Sequence, residues 1–439
     1  MLRVASTAAV LLSAVHAAVF DFDTSFSSKT AYWDQSKDPL ARHITVNPSD
    51  VTKFSLVQVQ QVVRHGSRFP TSGNIEDITE FVTRLQGDYS SVLPQWLQSY
   101  QVPYNQSVEG LLAPAGDAEL QAFGKRSRES VGKTLPTDFS TDKFIVQHTY
   151  KPRTKSTAQN FVSTFFANAD NVTYIEYTKK NDPLLRFYDQ CDRYNRDVKD
   201  SANGTIEVTK YQETEDYQKN IETLRKTLNL PASANLTTKD VESAFSACAF
   251  DLALYKIKNN WCSLLTEEFI KSAEYAEELE SFYESGPGHK INYEISAVLL
   301  QDVFKFMKDF TDKKTQVVGN FRFSHAETTL PLMTLLGYAD KTPLLASASA
   351  EDIEHRKFRA SRLAPFMANV EFRLYKKKAT DCASQPGSHD GGYFVQIRIN
   401  EQVTYVPGCD GEVFCPLSKV EEIWKYYLTE YDFDTDCKI

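Results

Sequence analysis

Apolar residues recur along this chain with two different periods. Residues 55–63, SLVQVQQVV, alternate and then run apolar, the pattern of a strand that ends where Arg64-His65-Gly66 begins. Residues 144–150 and 315–324 read as two further strands, and 392–399 with 402–406 as a hairpin extending the same sheet. Helical spacing follows at 154–167 and at 328–336, the latter closed by Gly337. Residues 113–133 read as a loop and then a helix, with Gly116 and Gly124 near its start.

Between 169 and 311 the texture becomes helical and charged, with amphipathic spacing at 244–258 and 266–285 and a break at Gly286-Pro287-Gly288. This predicts a mixed α/β protein. A discontinuous catalytic domain, residues 18–168 and 312–439, would be interrupted by a mainly helical insertion at 169–311. No internal repeat or low-complexity tract disturbs that reading.

The 439 residues, 41% hydrophobic, are enough for a large core, and the formal net charge of -9 makes nucleic acid a poor default partner. An acidic chain can still bind an anion where a few arginines converge. Arg3 followed by the apolar run 4–15 has the form of a signal peptide, with cleavage expected near Ala17. The run is too short to span a bilayer, the C-terminus is polar, and no membrane anchor is expected. A secreted or lumenal location follows.

Seven cysteines permit up to three disulfides in such a compartment. Cys409 and Cys415, bracketing a short Gly-containing loop, are the first candidate pair; Cys382 with Cys437 and Cys248 with Cys262 are the next. Asn-x-Ser/Thr sequons at Asn105, Asn171, Asn203 and Asn235 are candidate glycosylation sites. No paired Cys-x-x-Cys or neighbouring histidine pair suggests zinc, and no metal site is expected.

The chemistry gathers at strand ends, where ligands sit in open α/β sheets. Arg64-His65-Gly66-Ser67-Arg68-Phe69-Pro70 puts a histidine between two arginines, whose planar forks suit phosphate. Gly66 would let backbone approach a ligand, and Pro70 would stiffen the exit. Ser324-His325-Ala326-Glu327 follows a second strand, and Arg153 a third. Arg-His-Gly alone is an ordinary surface loop, and Glu327 alone an ordinary acid at a helix start. Together, at three strand ends, they point to an anion-handling site.

These motifs resemble those of the histidine acid phosphatases, and within them the multiple inositol polyphosphate phosphatases. Many histidine acid phosphatases carry His-Asp at the second motif, and His325-Ala326-Glu327 inclines this chain toward the inositol polyphosphate branch. Residues 185–189, 261–264, 286–288 and 291–293 also look like that branch; Ser67 departs from its usual threonine but keeps the hydroxyl.

The resemblance implies a phosphoglycerate-mutase-like three-layer sheet domain with a helical insertion. It implies that His65 is a nucleophile forming a phosphohistidine. Arg64, Arg68, Arg153 and His325 would bind the phosphoryl oxygens, and Glu327 would protonate the leaving alkoxide. No cofactor is implied. Inositol polyphosphates, phytate among them, would be the substrates, in a wide basic cleft. Lys155 and the lysines and arginines of the insertion are candidates to line it. A broad acid phosphatase, a bisphosphoglycerate phosphatase and an inactive phosphate-binding ectodomain are the competing readings.

Overall fold

The computed structural model describes residues 20–38, 44, 46, 52–378 and 392–439; the proposed signal segment and Cys382 lie outside them. The strands are β1 (Phe54–Arg64), β2 (Phe144–His148), β3 (Ile175–Glu176), β4 (Gly319–Ser324), β5 (Asn369–Lys377), β6 (Tyr393–Ile399), β7 (Gln402–Val403) and β8 (Cys415–Pro416). The longer helices are α1 (Ser72–Tyr89), α2 (Pro114–Val131), α3 (Pro152–Phe165), α4 (Glu215–Thr227), α5 (Thr238–Phe250), α6 (Glu267–Glu284), α7 (Ala297–Thr311) and α8 (Ala326–Leu336).

One sheet runs β3-β2-β4-β1-β5-β6-β7, with β8 paired to β6. β3, β2, β4 and β1 are mutually parallel, whereas β5 adds to β1 antiparallel and starts the hairpin side. Period-two alternation sends side chains to both faces. Val59, Val63, Phe321 and Phe323 pack with Leu120, Phe123, Phe161 and Phe165 of α2 and α3. Val62, Val370, Phe372 and Leu374 pack on the opposite face with Leu300 and Val303 of α7 and Leu332 and Leu336 of α8. Helix, sheet and helix make three layers. β5 was not anticipated, although its apolar alternation Val370, Phe372, Leu374 is plain in the sequence.

The central strand carries three glutamines that the core must satisfy. Gln58 Nε2 donates to Val317 O at 2.9 Å, Gln60 Nε2 to Val303 O at 2.8 Å, and Gln61 Nε2 to the buried Glu371 carboxylate. These bonds tie β1 to α7, to the β4 approach and to β5.

A separate apolar cluster holds the helical layer. It joins α1, α4, α5 and α6 with Phe26 near the N-terminus and with Ile353, Phe358 and Phe366. α7, by contrast, packs on the sheet. Arg356 ties this layer together inside the core, donating from Nη2 to Glu274 at 2.8 Å and from Nε to Glu278.

Disulfides join Cys191–Cys437, Cys248–Cys262 and Cys409–Cys415. The expected Cys382–Cys437 pair is therefore corrected. The C-terminus returns beside residues 191–193, where Arg193 N donates to Cys437 O at 3.0 Å, so the partner lies 246 positions away. Asn105, Asn171, Asn203 and Asn235 are all exposed.

Non-reducing peptide mapping after thiol alkylation should recover Cys191 and Cys437 in one linked peptide, with Cys382 alkylated. A Cys382–Cys437 peptide would contradict this pairing.

Candidate active site

The parallel register decides which residues meet. β1 pairs Arg64 with Ser324 of β4, and β4 pairs Phe323 with His148 of β2. The residues that follow, His65, His325 and Thr149, therefore leave the sheet at one level, at its carboxyl edge. His65 N donates to Ser324 O at 3.0 Å, and the two imidazole centroids lie 5.6 Å apart. The starts of α3 and α8 reach the same edge and bring Arg153 and Glu327. Helix N-termini favour anions there.

A cleft of about 210 Å³ opens at this edge. Arg64, His65, Arg68, Arg153 and Glu327 line it together. A larger cavity, about 670 Å³, beside Tyr275 and residues 340–358, shares none of them.

His65 is buried, with 2% of its surface exposed. Its Nδ1 lies 3.0 Å from Gly66 O. A carbonyl can only accept, so Nδ1 carries the proton and Nε2 keeps its lone pair. Burial, then Arg153, Arg64, Arg68 and His325, push the imidazole well below the ordinary histidine range. The neutral, nucleophilic form is thus favoured.

The three arginines are held from behind. Arg64 Nη1 donates to Ser28 O at 2.7 Å and Ala364 O at 2.5 Å, and its guanidinium lies over the Phe366 ring. Arg68 Nη1 donates to Phe69 O at 2.9 Å. The Nε atoms of Arg64, Arg68 and Arg153 are buried without a hydrogen-bond partner in the protein. Burial, then the charge of Arg68, pushes Arg64 down to about 9; burial and Arg153 push Arg68 down to about 10. All three remain cationic at neutral pH, and Glu327 offsets part of the mutual repulsion.

Four expected contributors take other positions than the motifs implied. His325, 1% exposed, stands behind the cleft and does not line it. Arg153 Nη2 donates to its Nδ1 at 3.4 Å, so Nε2 carries the proton and donates to Thr149 Oγ1 at 2.9 Å. Both nitrogens are engaged, and through Nδ1 the ring orients Arg153. Lys155 is exposed, 3.6 Å from Glu176, and outside the cleft, because one residue of turn beyond Thr154 points it away along α3.

Gly66 serves packing rather than ligand approach. A Cβ there would lie 2.4 Å from Leu120 Cδ2, and one at Gly116 would lie 2.2 Å from Ser67 O. The two glycines let the His65 loop sit directly on α2. Finally, although the charge of Arg186 reaches Arg153 and His325, residues 169–311 place no lysine or arginine, among the described residues, in the lining of this cleft. Their share of the wall is Glu277, Glu280, Ser281, Glu284 and Ser285, all on or just after α6.

Two supporting residues escaped the sequence reading. Glu119 accepts from Ser67 N at 2.9 Å and Ser67 Oγ at 2.8 Å, clamping the loop from α2. It looked like an ordinary helix-surface acid; its place three residues after Gly116 was the available signal. Thr149 passes the His325 proton's hydrogen bond on to Thr154 at 2.9 Å, and as a lone threonine after a strand it carried no signal.

Residues 55–400 match the family model of the Histidine phosphatase superfamily (branch 2), and the chain belongs to that family. Among relatives, the "Multiple inositol polyphosphate phosphatase 1" of Gallus gallus is 28% identical over 396 residues, covering 87% of this chain and 84% of that protein. Its Homo sapiens namesake is 27% identical over 374 residues, covering 79% and 74%. The fold is that of the phytase from D. castellii, at 18% identity and TM-score 0.75, covering 94% of this chain and 86% of that one. It is also that of the multiple inositol polyphosphate phosphatase of Bifidobacterium longum, solved with inositol hexasulfate, at 16% identity and TM-score 0.69, covering 95% and 100%.

Protonation of His65 removes the Nε2 lone pair, and its pKa is depressed. The acid limb of kcat/KM should therefore lie below about pH 6.5, the ordinary histidine value. A pH–rate profile with p-nitrophenyl phosphate measures it; a limb at or above that value would contradict the neutral-histidine geometry.

Proposed function

We propose that this protein hydrolyses phosphomonoesters of inositol polyphosphates, phytate among them, through a phosphohistidine at His65 Nε2. The observation that carries this is one cleft in which a neutral histidine with a free Nε2 is ringed by three arginines and Glu327. The inositol polyphosphate class is supported by the names of the relatives and by the His325-Ala326-Glu327 motif.

In the first step His65 Nε2 attacks phosphorus and the P–O ester bond breaks. Unpaired guanidinium N–H groups of Arg64, Arg68 and Arg153 stabilise charge on the equatorial oxygens. His325 keeps Arg153 in place. Glu327 gives its proton to the leaving alkoxide. In the second step water attacks phosphorus, the P–N bond breaks, the Glu327 carboxylate takes the water's proton, and inorganic phosphate leaves. The arginines do the electrostatic work that a metal does elsewhere.

The catalytic parts belong to residues 18–168 and 312–439, and we read residues 169–311 as an insertion that walls the cleft and whose two ends, β3 and α7, return to the sheet. Three disulfides favour an oxidising, secreted or lumenal setting. No described helix is long and apolar enough to cross a membrane. The four exposed sequons are available to glycosylation.

Phosphate release from phytate should persist in excess EDTA. His65→Ala should abolish it and remove acid-labile phosphate from the quenched enzyme. A variant keeping a tenth of the wild-type kcat, about 1.4 kcal/mol of barrier, would exclude His65 as nucleophile.

Glu327→Gln separates leaving groups. It should lower kcat on phytate by about 10²- to 10⁴-fold and cost much less on p-nitrophenyl phosphate, whose phenolate departs without a proton. Equal small losses on both, with a lower Tm, would make Glu327 a helix-terminus residue only.

A further inference from the structure

One charged residue of the cleft has no part in the two catalytic steps. Lys29 comes from an N-terminal strap, residues 26–30, and lines the cleft together with Arg64, Arg68 and Arg153. The arginines gather around His65. Lys29 instead reaches to α6, where its Nζ donates to the Glu277 carboxylate. Beside Glu277, α6 and the turn after it give the cleft Glu280, Ser281, Glu284 and Ser285. Among the described lining residues, Lys29 is therefore the cation on the α6 side.

The strap does not need this pair to stay in place. Phe26 is buried, its ring 5.2 Å from that of Phe245. Ser27 N donates to the Glu274 carboxylate at 3.2 Å, and Phe366 N donates to Thr30 O at 2.9 Å. These contacts fix the backbone that offers Ser28 O to Arg64 Nη1 at 2.7 Å. The Lys29–Glu277 pair lies outside that framework, with 19% and 21% of the two side chains exposed. A pair that water still reaches adds little stability. Its place at the cleft wall is better explained by what the lysine can bind.

We propose that Lys29 is a specificity-determining residue: with the scissile phosphate on the arginines, its ammonium binds a second phosphate of the same inositol polyphosphate. This rests on the inositol polyphosphate reading above. An ammonium is a compact charge with three donors on a flexible stem. Glu277 takes one donor, and the others remain for phosphate oxygens. A phosphate monoester carries about -1.5 to -2 at neutral pH and attracts the ammonium more strongly than one carboxylate does. Burial raises the Glu277 carboxyl above its ordinary range, against the charge of Lys29, so the acid can take up a proton as the lysine turns away. A substrate with one phosphate gains nothing from this contact. Lys29 thus favours polyphosphates over monophosphates without touching the reacting atoms.

The test is the ratio of kcat/KM for phytate to kcat/KM for p-nitrophenyl phosphate in the wild type, K29M, K29R and E277Q. K29M should lower the ratio on the order of tenfold, the loss of one charge-assisted contact. K29R, which keeps the charge, should restore most of it, and E277Q, which frees the lysine, should not lower it. A pair that only ties the strap to α6 predicts otherwise: K29M and E277Q would act alike, lowering Tm and slowing both substrates equally. That result, or an unchanged ratio in K29M, would overturn the proposal and leave the phosphatase reading standing. If K29M does not fold, amine-reactive labelling of the wild type decides. Inositol hexasulfate should protect Lys29 and inorganic phosphate should not; equal labelling with and without the hexasulfate would overturn the proposal. A wild type that cleaves p-nitrophenyl phosphate but not phytate would overturn the inositol polyphosphate reading, and the proposal with it.

Discussion

Everything at the site depends on the register of three parallel strands. β2, β4 and β1 are aligned so that Thr149, His325 and His65 emerge together, and the bond from His65 N to Ser324 O extends that alignment one residue past the last ladder pair. A slip of one residue would turn each side chain to the other face of the sheet. Buried Val59, Val62 and Val63, with apolar partners on both faces, make such a slip costly.

Three guanidinium groups around a buried histidine are the second constraint. Burial first, and then the like charges beside them, hold Arg64 and Arg68 below the ordinary arginine value. The protein compensates them in part, through backbone carbonyls of Ser28, Ala364 and Phe69 and the carboxylates of Glu327, Glu119 and Glu109. A phosphoryl group would complete the compensation. Positioning therefore falls to a supporting shell, with Glu119 under Ser67, and His325 and Thr149 behind Arg153. The Ser28 carbonyl makes the N-terminal segment part of that shell, far in sequence from most of the chain it serves.

The helical layer gives the cleft its second face. α6 is fastened by Arg356 through Glu274 and Glu278, while Glu277, Glu280 and Glu284 turn toward the arginines. One acidic helix thus serves both core and cleft, with its glutamates divided by helical phase.

Local chemistry was legible in the sequence. Strands ending at Arg64 and Ser324, helices opening after Arg153 and His325, and the motif residues themselves follow from alternation, turn residues and residue type, all of which act over a few positions. Tertiary structure decided what depends on distance. It paired Cys437 with Cys191, placed β5 against β1, drew His325 behind the cleft, and put Gly66 against α2. It also turned the glutamates of α6, and no lysine or arginine of that stretch, toward His65. The spacing of those glutamates was visible along the chain. Which face of the helix would look inward was not, because the phase of a helix is set by the surface it packs against.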